Sequence, residues 1–167
     1  LGLLVLLGTA GCGPGWPSPR AGDEIIVAGK MFHTGTRVVT FLDPQGYNAY
    51  RCYNHFDPTQ YMPKCPQDDD NPNRYSAMRR NLPAELQAEV DKQGWTVESL
   101  RKQVDQFVIH YDMCGTSAEC FWMLHDVRGL SAHFMLDLDG TIYQTLDLTE
   151  RAWHASLCND RSVGIEI

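Results

Sequence analysis

The chain has 167 residues, of which 43% are hydrophobic and 21% are charged, and its formal net charge is −7. This size and composition suit one globular domain with short appendages and allow a buried core. The negative net charge argues against nucleic-acid binding, because phosphate contacts need a cationic surface. No apolar run reaches the roughly 18 residues that a membrane-spanning helix needs.

Residues 1–12 have the composition of the end of a secretion signal, with the apolar run Leu1–Ala10 ahead of a Gly-Cys pair. Since the chain has no initiator Met, we expect it to begin inside that signal. Thr9–Cys12 resembles the lipobox of bacterial lipoproteins, which predicts lipidation of Cys12. An ordinary signal peptide, with Cys12 left for a disulfide, is the alternative. Residues 13–22 are rich in Pro and Gly and predict a linker.

These features predict an exported protein. The favoured form is a cell-envelope lipoprotein, periplasmic or on the cell surface, which contacts the membrane through its lipid anchor only. The alternative is a secreted protein.

Residues 23–104 predict a small β unit, a loop and two helices, and they match no functional motif. The β-branched runs Ile25–Val27 and Val38–Phe41 predict two strands separated by Gly-containing turns. Residues 67–73 form an acidic, Pro- and Asn-rich stretch without the residue spacing of a calcium loop, which favours a solvated loop. A helix is predicted over Pro83–Gln93, and a second follows the capping residue Thr96.

Residues 105–167 predict an alternation of strands and helices. The apolar run that ends on His110 predicts a buried strand, and Ser117–Val127 predicts a helix. An Asp-Gly turn predicts a hairpin of two strands, over 132–137 and 141–146. A last strand is predicted over Ser162–Ile167. Side chains alternate between the two faces of a strand, so Glu166 points away from its apolar neighbours. This carboxylate should therefore face water, a metal or a positive partner.

In an exported protein, cysteines that come together are expected to form disulfides. Cys114 and Cys120 enclose a loop of five residues directly after His110, and Cys52 and Cys65 enclose a Tyr-, Asn- and Pro-rich loop. We predict these two pairs. Cys158 is then left over, as a free thiol or with a partner outside this sequence.

Four segments together carry a family resemblance. In chain order they are the strand that ends on His110, Leu130–Gln144, Arg151–Ala155 and Cys158–Ile167. They resemble the zinc N-acetylmuramoyl-L-alanine amidases, the family of phage amidase lysozymes, bacterial anhydro-muropeptide amidases and animal peptidoglycan recognition proteins. Their His-Phe, Trp-His-Ala and Gly-Ile-Glu blocks are most similar to the anhydro-muropeptide amidases. The Cys114–Cys120 pair also resembles the small disulfide loop of the recognition proteins.

The resemblance implies an α/β fold with a central mixed β-sheet flanked by helices. Residues 105–167 would be the N-terminal part of that domain, which is then C-terminally truncated here. The implied cofactor is Zn²⁺, held in the family by two His and one Asp or Cys with water in the fourth position. His110 matches the first ligand. The remaining ligands follow the Gly-Ile-Glu strand in the family, so we expect them beyond Ile167.

The resemblance also implies roles for other residues. Glu166 matches the general acid/base of the anhydro-muropeptide amidases. Other members use a Tyr just before the His-Phe block, where this chain has Ala132, which favours the Glu-type mechanism. His154 is expected to line the substrate cleft or to support the site. Trp153 and Tyr143 are candidates for lining the groove, although core packing is the commoner role of strand aromatics.

Spacing alone would also allow a zinc site of His110, His133 and His154, since three histidines suffice for a catalytic zinc. We do not adopt that set, because the His133 position is structural in the family. His33, His55 and His125 are predicted to be structural or surface residues.

The implied activity is zinc-dependent hydrolysis of the amide bond between N-acetylmuramic acid and L-alanine in peptidoglycan or muropeptides. The alternative is a catalytically inactive module of the same fold that binds peptidoglycan or muropeptides.

Overall fold

A computed structural model describes residues 22–50 and 79–167, together with the backbone of three short strands between these ranges. The predicted lipidation site Cys12 lies outside the described residues. So do the side chains of Cys52 and Cys65, and their predicted disulfide therefore stays a prediction. Among the described residues, no helix has both the length and the apolar character needed to cross a membrane.

The described secondary structure consists of eleven strands and three α-helices. The strands are β1 Glu24–Val27, β2 Lys30–His33, β3 Val38–Thr40, β4 Cys52–Asn54, β5 Asp57–Met62, β6 Tyr75–Ser76, β7 Gln106–His110, β8 Phe134–Leu136, β9 Ile142–Gln144, β10 Arg151–Ala152 and β11 Ser162–Glu166. The helices are α1 Ala84–Gln93, α2 Val97–Gln103 and α3 Ser117–Phe121.

A five-stranded mixed sheet forms the centre of the fold, in the order β3-β9-β8-β11-β7. Only the β8–β9 pair is antiparallel within it; β3–β9, β8–β11 and β11–β7 are parallel. Together with the flanking helices, this sheet confirms the predicted α/β class.

The first helix begins within one residue of its predicted start and ends where predicted, and the second begins after the predicted cap Thr96. Pro83 precedes α1, where its fixed φ and missing N–H cost nothing, and Gly94 ends the helix with a φ of 76°. Thr96 caps α2: its hydroxyl accepts from the backbone N–H of Ser99, and the Ser99 hydroxyl accepts from the backbone N–H of Thr96.

The predicted helix over Ser117–Val127 forms with a change of pitch. Thr116 caps its first turn, and α3 then continues as a π-helical segment over Trp122–Val127. His125 lies in this segment and is buried, with Nε2 3.2 Å from the carbonyl oxygen of Ala49. These contacts agree with a structural role for His125.

The predicted hairpin forms from β8 and β9, joined by the Asp-Gly turn. Its neighbour β11 runs parallel to both β8 and β7. In the β11–β7 register, Glu166 is opposite His110 and Ile165 is opposite Ile109. Paired residues of adjacent strands point to the same face of a sheet. Glu166 and His110 are therefore side by side.

The N-terminal strands differ from the predicted small β unit. β1 pairs with β2 in a separate hairpin, and β2 was not predicted because all four of its residues are exposed. β3 instead joins the central sheet, parallel to β9. Such a long-range pairing leaves no local pattern in the sequence. The two β-branched runs thus lie in two different sheets, although the predicted domain boundary near residue 105 stays a prediction.

Candidate active site

One cavity of about 490 Å³ collects most of the predicted site residues. The predicted residues that line it are His110, Trp153, His154, Glu166, Cys114 and Cys120. Asp112, Arg128 and Ser131 also line it and were not predicted. A cavity of this size with a few convergent polar groups is the usual form of a small-ligand site.

His110 and His154 meet in this cavity. Nε2 of His110 is 2.9 Å from Nδ1 of His154, and the two rings are perpendicular. Burial lowers the pKa of both imidazoles, that of His154 to about 4. Both rings are therefore neutral at pH 7, as metal binding by imidazole requires.

The contacts of His154 indicate which of its nitrogens carries the proton. The Ser162 hydroxyl donates to the carbonyl oxygen of Cys158 over 2.8 Å. Its oxygen is then left to accept from His154 Nε2, 3.1 Å away. With the proton on Nε2, Nδ1 of His154 holds a lone pair, and that lone pair faces His110.

Glu166 lies beside this pair and is only 6% exposed. Burial, followed by the nearby charge of Asp112, raises the pKa of Glu166 to about 7. A carboxyl group with this pKa exchanges its proton near neutral pH, as a general acid/base must. Glu166 was predicted to face water, a metal or a positive partner, and in the structure it lines this cavity.

Gly164 makes room for the His154 ring. A Cβ at position 164 would lie 2.5 Å from Nδ1 and 2.6 Å from Cε1 of His154. Any side chain here would have to displace the ring. The glycine of the Gly-Ile-Glu block is thus required by the close approach of an imidazole to the strand.

The backbone around His154 is fixed by Asn159 and by Ser131. The Asn159 side-chain oxygen accepts from the backbone N–H groups of both His154 and Ala155. The Trp153 backbone N–H donates to the Ser131 hydroxyl, and the Trp153 carbonyl oxygen accepts from the Ser131 N–H. These bonds hold Trp153 and His154 at the cavity wall.

His133 is fully buried and does not line the cavity. Its Nδ1 accepts from the backbone N–H of Gly164, and its Nε2 lies 3.1 Å from the carbonyl oxygen of Glu150. Both ring nitrogens are therefore engaged in packing the fold. This agrees with a structural role and argues against a zinc site of His110, His133 and His154.

Cys114 and Cys120 face each other near the cavity as free thiols. With Asp112 they form a group whose possible ligand atoms all lie within 4.8 Å of one another. Burial raises the pKa of the Cys120 thiol well above its usual range, which disfavours thiolate chemistry. The predicted disulfide is not formed in this structure and stays a prediction for the oxidised protein.

Tyr143 is not brought to the cavity. Its ring centroid lies 4.5 Å from that of Tyr47 on another part of the sheet. The structure therefore places Tyr143 in aromatic packing, the commoner role for such a residue, and gives no support to its predicted contact with substrate.

The donor groups in the cavity fit a zinc ion. Nε2 of His110 faces this cavity 2.9 Å from Nδ1 of His154, and imidazole nitrogens are preferred zinc ligands. Without metal, His110 Nε2 would donate its proton to the His154 lone pair. Binding through the same nitrogen would release that proton, so metal binding and this hydrogen bond exclude each other.

Comparison with known proteins assigns the segment that holds these residues. The family model for N-acetylmuramoyl-L-alanine amidase matches residues 100–167. No curated protein and no solved structure gives a significant match. The matched segment contains β7, α3, β8, β9 and β11, and with them His110, His154 and Glu166. Residues 100–167 are thus similar to the N-acetylmuramoyl-L-alanine amidase family.

Proposed function

We propose that this protein is a zinc-dependent amidase that cleaves the bond between N-acetylmuramic acid and L-alanine. The observation that carries the proposal is the register of β11 with β7, which sets Glu166 beside His110 in one cavity. The family match supports amidase activity on peptidoglycan in general. The zinc dependence and the bond cleaved rest on the donor groups and on the resemblance.

His110 would hold the metal through Nε2. A zinc ion bound there would supply an activated water and would polarise the amide carbonyl. Glu166 accepts the proton of the attacking water and returns it to the leaving nitrogen. The carbonyl carbon gains an oxygen as its bond to nitrogen breaks, which yields a lactyl carboxylate and the free amine of L-alanine. The same carboxyl group serves as base and then as acid because burial raises its pKa to about 7.

His154 and Trp153 would contact the substrate or support the site from the cavity wall. The His154 lone pair faces the metal position and can accept a proton from a water or an amide N–H there. Arg128 is the only Lys or Arg that lines the cavity among the described residues. It would attract the carboxylates of a peptide stem.

The cellular setting follows from the sequence features and is proposed with the activity. Peptidoglycan or muropeptides would be the substrate, and no nucleic acid would bind. The protein would be exported, and a lipid on Cys12 would hold it to the membrane.

The proposal is tested first by metal content. The protein should copurify with zinc or bind added zinc, and His110→Ala should lose most of that binding together with hydrolysis of a muropeptide. His33→Ala is the matched control, because His33 is exposed and, among the described residues, its ring pairs with Asp23 and Glu24. Zinc content is measured by atomic absorption, and release of the L-alanine amine by mass spectrometry.

The outcomes separate the two functions. Muropeptide binding without zinc and without hydrolysis would favour the inactive binding module. Zinc binding that survives His110→Ala would contradict the proposed ligand.

A further inference from the structure

Arg79 is a buried charged residue in residues 23–104, the part of the chain for which no function is predicted. It is 1% exposed, and burial lowers the pKa of its guanidinium to about 10. Burying a cation is costly unless its donors are used in hydrogen bonds. The hydrogen bonds of Arg79 must therefore offset the cost of its burial.

The Arg79 guanidinium binds backbone carbonyl oxygens at two separate points of the chain. Nε and Nη2 donate to the Leu148 oxygen at 3.2 and 2.8 Å. Nη1 lies 3.1 Å from the Asn159 oxygen, 3.3 Å from that of Asp160 and 3.0 Å from that of Ser162. We call residues 148–162 the site loop. Arg79 holds the two ends of the site loop together.

Two of these carbonyl groups belong to the residues that fix His154. Asn159 accepts from the His154 backbone N–H, and Ser162 contacts the His154 ring at Nε2. Arg79 therefore contacts both supports of His154 without touching His154 itself. A shift at either support would move the ring away from His110, which lies 2.9 Å from it.

We propose that Arg79 is a positioning residue for the site: its guanidinium closes the site loop and so holds His154 in its place at the cavity wall. The catalytic part of this inference rests on the proposed function, but the geometric part does not. Only a planar fork of donors can reach both ends of the loop at once. Lysine presents a single point of charge, so it cannot replace both sets of bonds.

The test compares Arg79→Ala and Arg79→Lys with wild type. Imidazole NMR resonances of His154 report its position without any need for activity. We expect both variants to shift these resonances, and kcat for a muropeptide to fall roughly 10–100-fold with a smaller change in KM. Guanidinium ions at millimolar concentration should partly restore both readouts in Arg79→Ala. The same concentration of sodium chloride should not.

Arg161→Lys is the matched control, because Arg161 is an exposed arginine that pairs with Asp105 next to the same strand. It should leave the His154 resonances and kcat unchanged. If Arg79→Ala does not fold, Arg79→Lys is compared with wild type by the same two readouts. Folded Arg79 variants with wild-type resonances and wild-type kcat would overturn the inference. A wild-type protein that hydrolyses no muropeptide would refute the proposed function, while the resonances would still decide the role of Arg79.

Discussion

At the scale of single residues, the proposed chemistry depends on a carboxyl group that is costly to ionise. Burial raises the pKa of Glu166 to about 7 from its ordinary value of 4.5. The folded protein thus holds this proton more tightly than the unfolded chain does. The contribution of Glu166 to stability is largest below pH 4.5 and is lost as the pH rises through 7.

Glu166→Gln should therefore stabilise the protein at alkaline pH. The amide cannot ionise, so we expect a gain of roughly 1–2 kcal/mol at pH 8 and little change at pH 4. The same variant should lose hydrolysis. Thermal unfolding at both pH values measures the effect, and Glu85→Gln on α1 is the control. An equal shift at both pH values would contradict the buried-acid explanation.

The pH dependence of the wild-type rate follows from the same group. A general base must be ionised, so kcat/KM should rise as the pH passes through about 7, the pKa of Glu166.

Ser162 should determine the tautomer of His154. In Ser162→Ala the acceptor for the Nε2 proton is lost, so we expect the ring to populate both tautomers. Ser162→Thr keeps the hydroxyl and should keep the Nε2–H form. Nitrogen chemical shifts of the imidazole distinguish these forms. A wild-type His154 with its proton on Nδ1 would contradict the assignment.

At the scale of elements, the five-residue strand β11 contributes two residues to the candidate site, Glu166 and Gly164. Glu166 must lie beside His110 on β7, and Gly164 must leave space for His154. Positions 164 and 166 face the same side of the sheet because they are two residues apart on the strand. The strand β11 therefore brings Glu166 close to the imidazoles of His110 and His154.

Gly164→Ala should break this arrangement. The added methyl would lie 2.5 Å from the His154 ring, which its contacts with Ser162 and Asn159 prevent from moving freely. We expect a loss of roughly 1–3 kcal/mol in the free energy of unfolding and a large loss of activity. The double variant with His154→Ala isolates the cause. If the methyl costs as much stability when the ring is absent, the clash is not the reason.

The elements that the sequence predicted are those with a local signal. α1 and α2 have capping residues and helical spacing, and the β8–β9 hairpin has its Asp-Gly turn. β2 was missed because its four residues are exposed and show no alternation. The pairing of β3 with β9 joins distant segments, so nothing near either strand indicates it.

The residues of the candidate site also fall into those that the sequence predicted and those that it did not. Glu166 and His110 were found through their strands and the family resemblance, and the structure places both in one cavity. The contact between His110 and His154 depends on tertiary structure and has no signal in their spacing. Arg79 could not be found at all, because charged residues are almost always exposed and an isolated arginine forms no pattern.

At the scale of the whole molecule, the negative charge opposes the approach of an acidic substrate. The chain carries −7, and Asp112 and Glu166 add acid to the cavity itself. An acidic muropeptide would be repelled on approach unless a local cation attracts it. Arg128 is the residue in place for that task.

Arg128→Met should therefore weaken the binding of substrates with a free C-terminal carboxylate. We expect KM to rise about fivefold for such a muropeptide, since an exposed ion pair is worth up to roughly 1 kcal/mol. An amidated analogue should show little change. Arg101→Met is the control, because Arg101 lies on α2 at a separate apolar pocket. Equal effects on the two substrates would contradict this role.

The parallel pairing of β11 with β7 also affects how the protein acquires its activity. Parallel neighbours need a long crossover, and here the crossover contains α3 and the β8–β9 hairpin. The loop entropy of that crossover must be overcome before the pairing forms, which makes it a late event in folding. Glu166 and His110 come together only when β11 pairs with β7, so a chain in which this pairing has not formed lacks the assembled site.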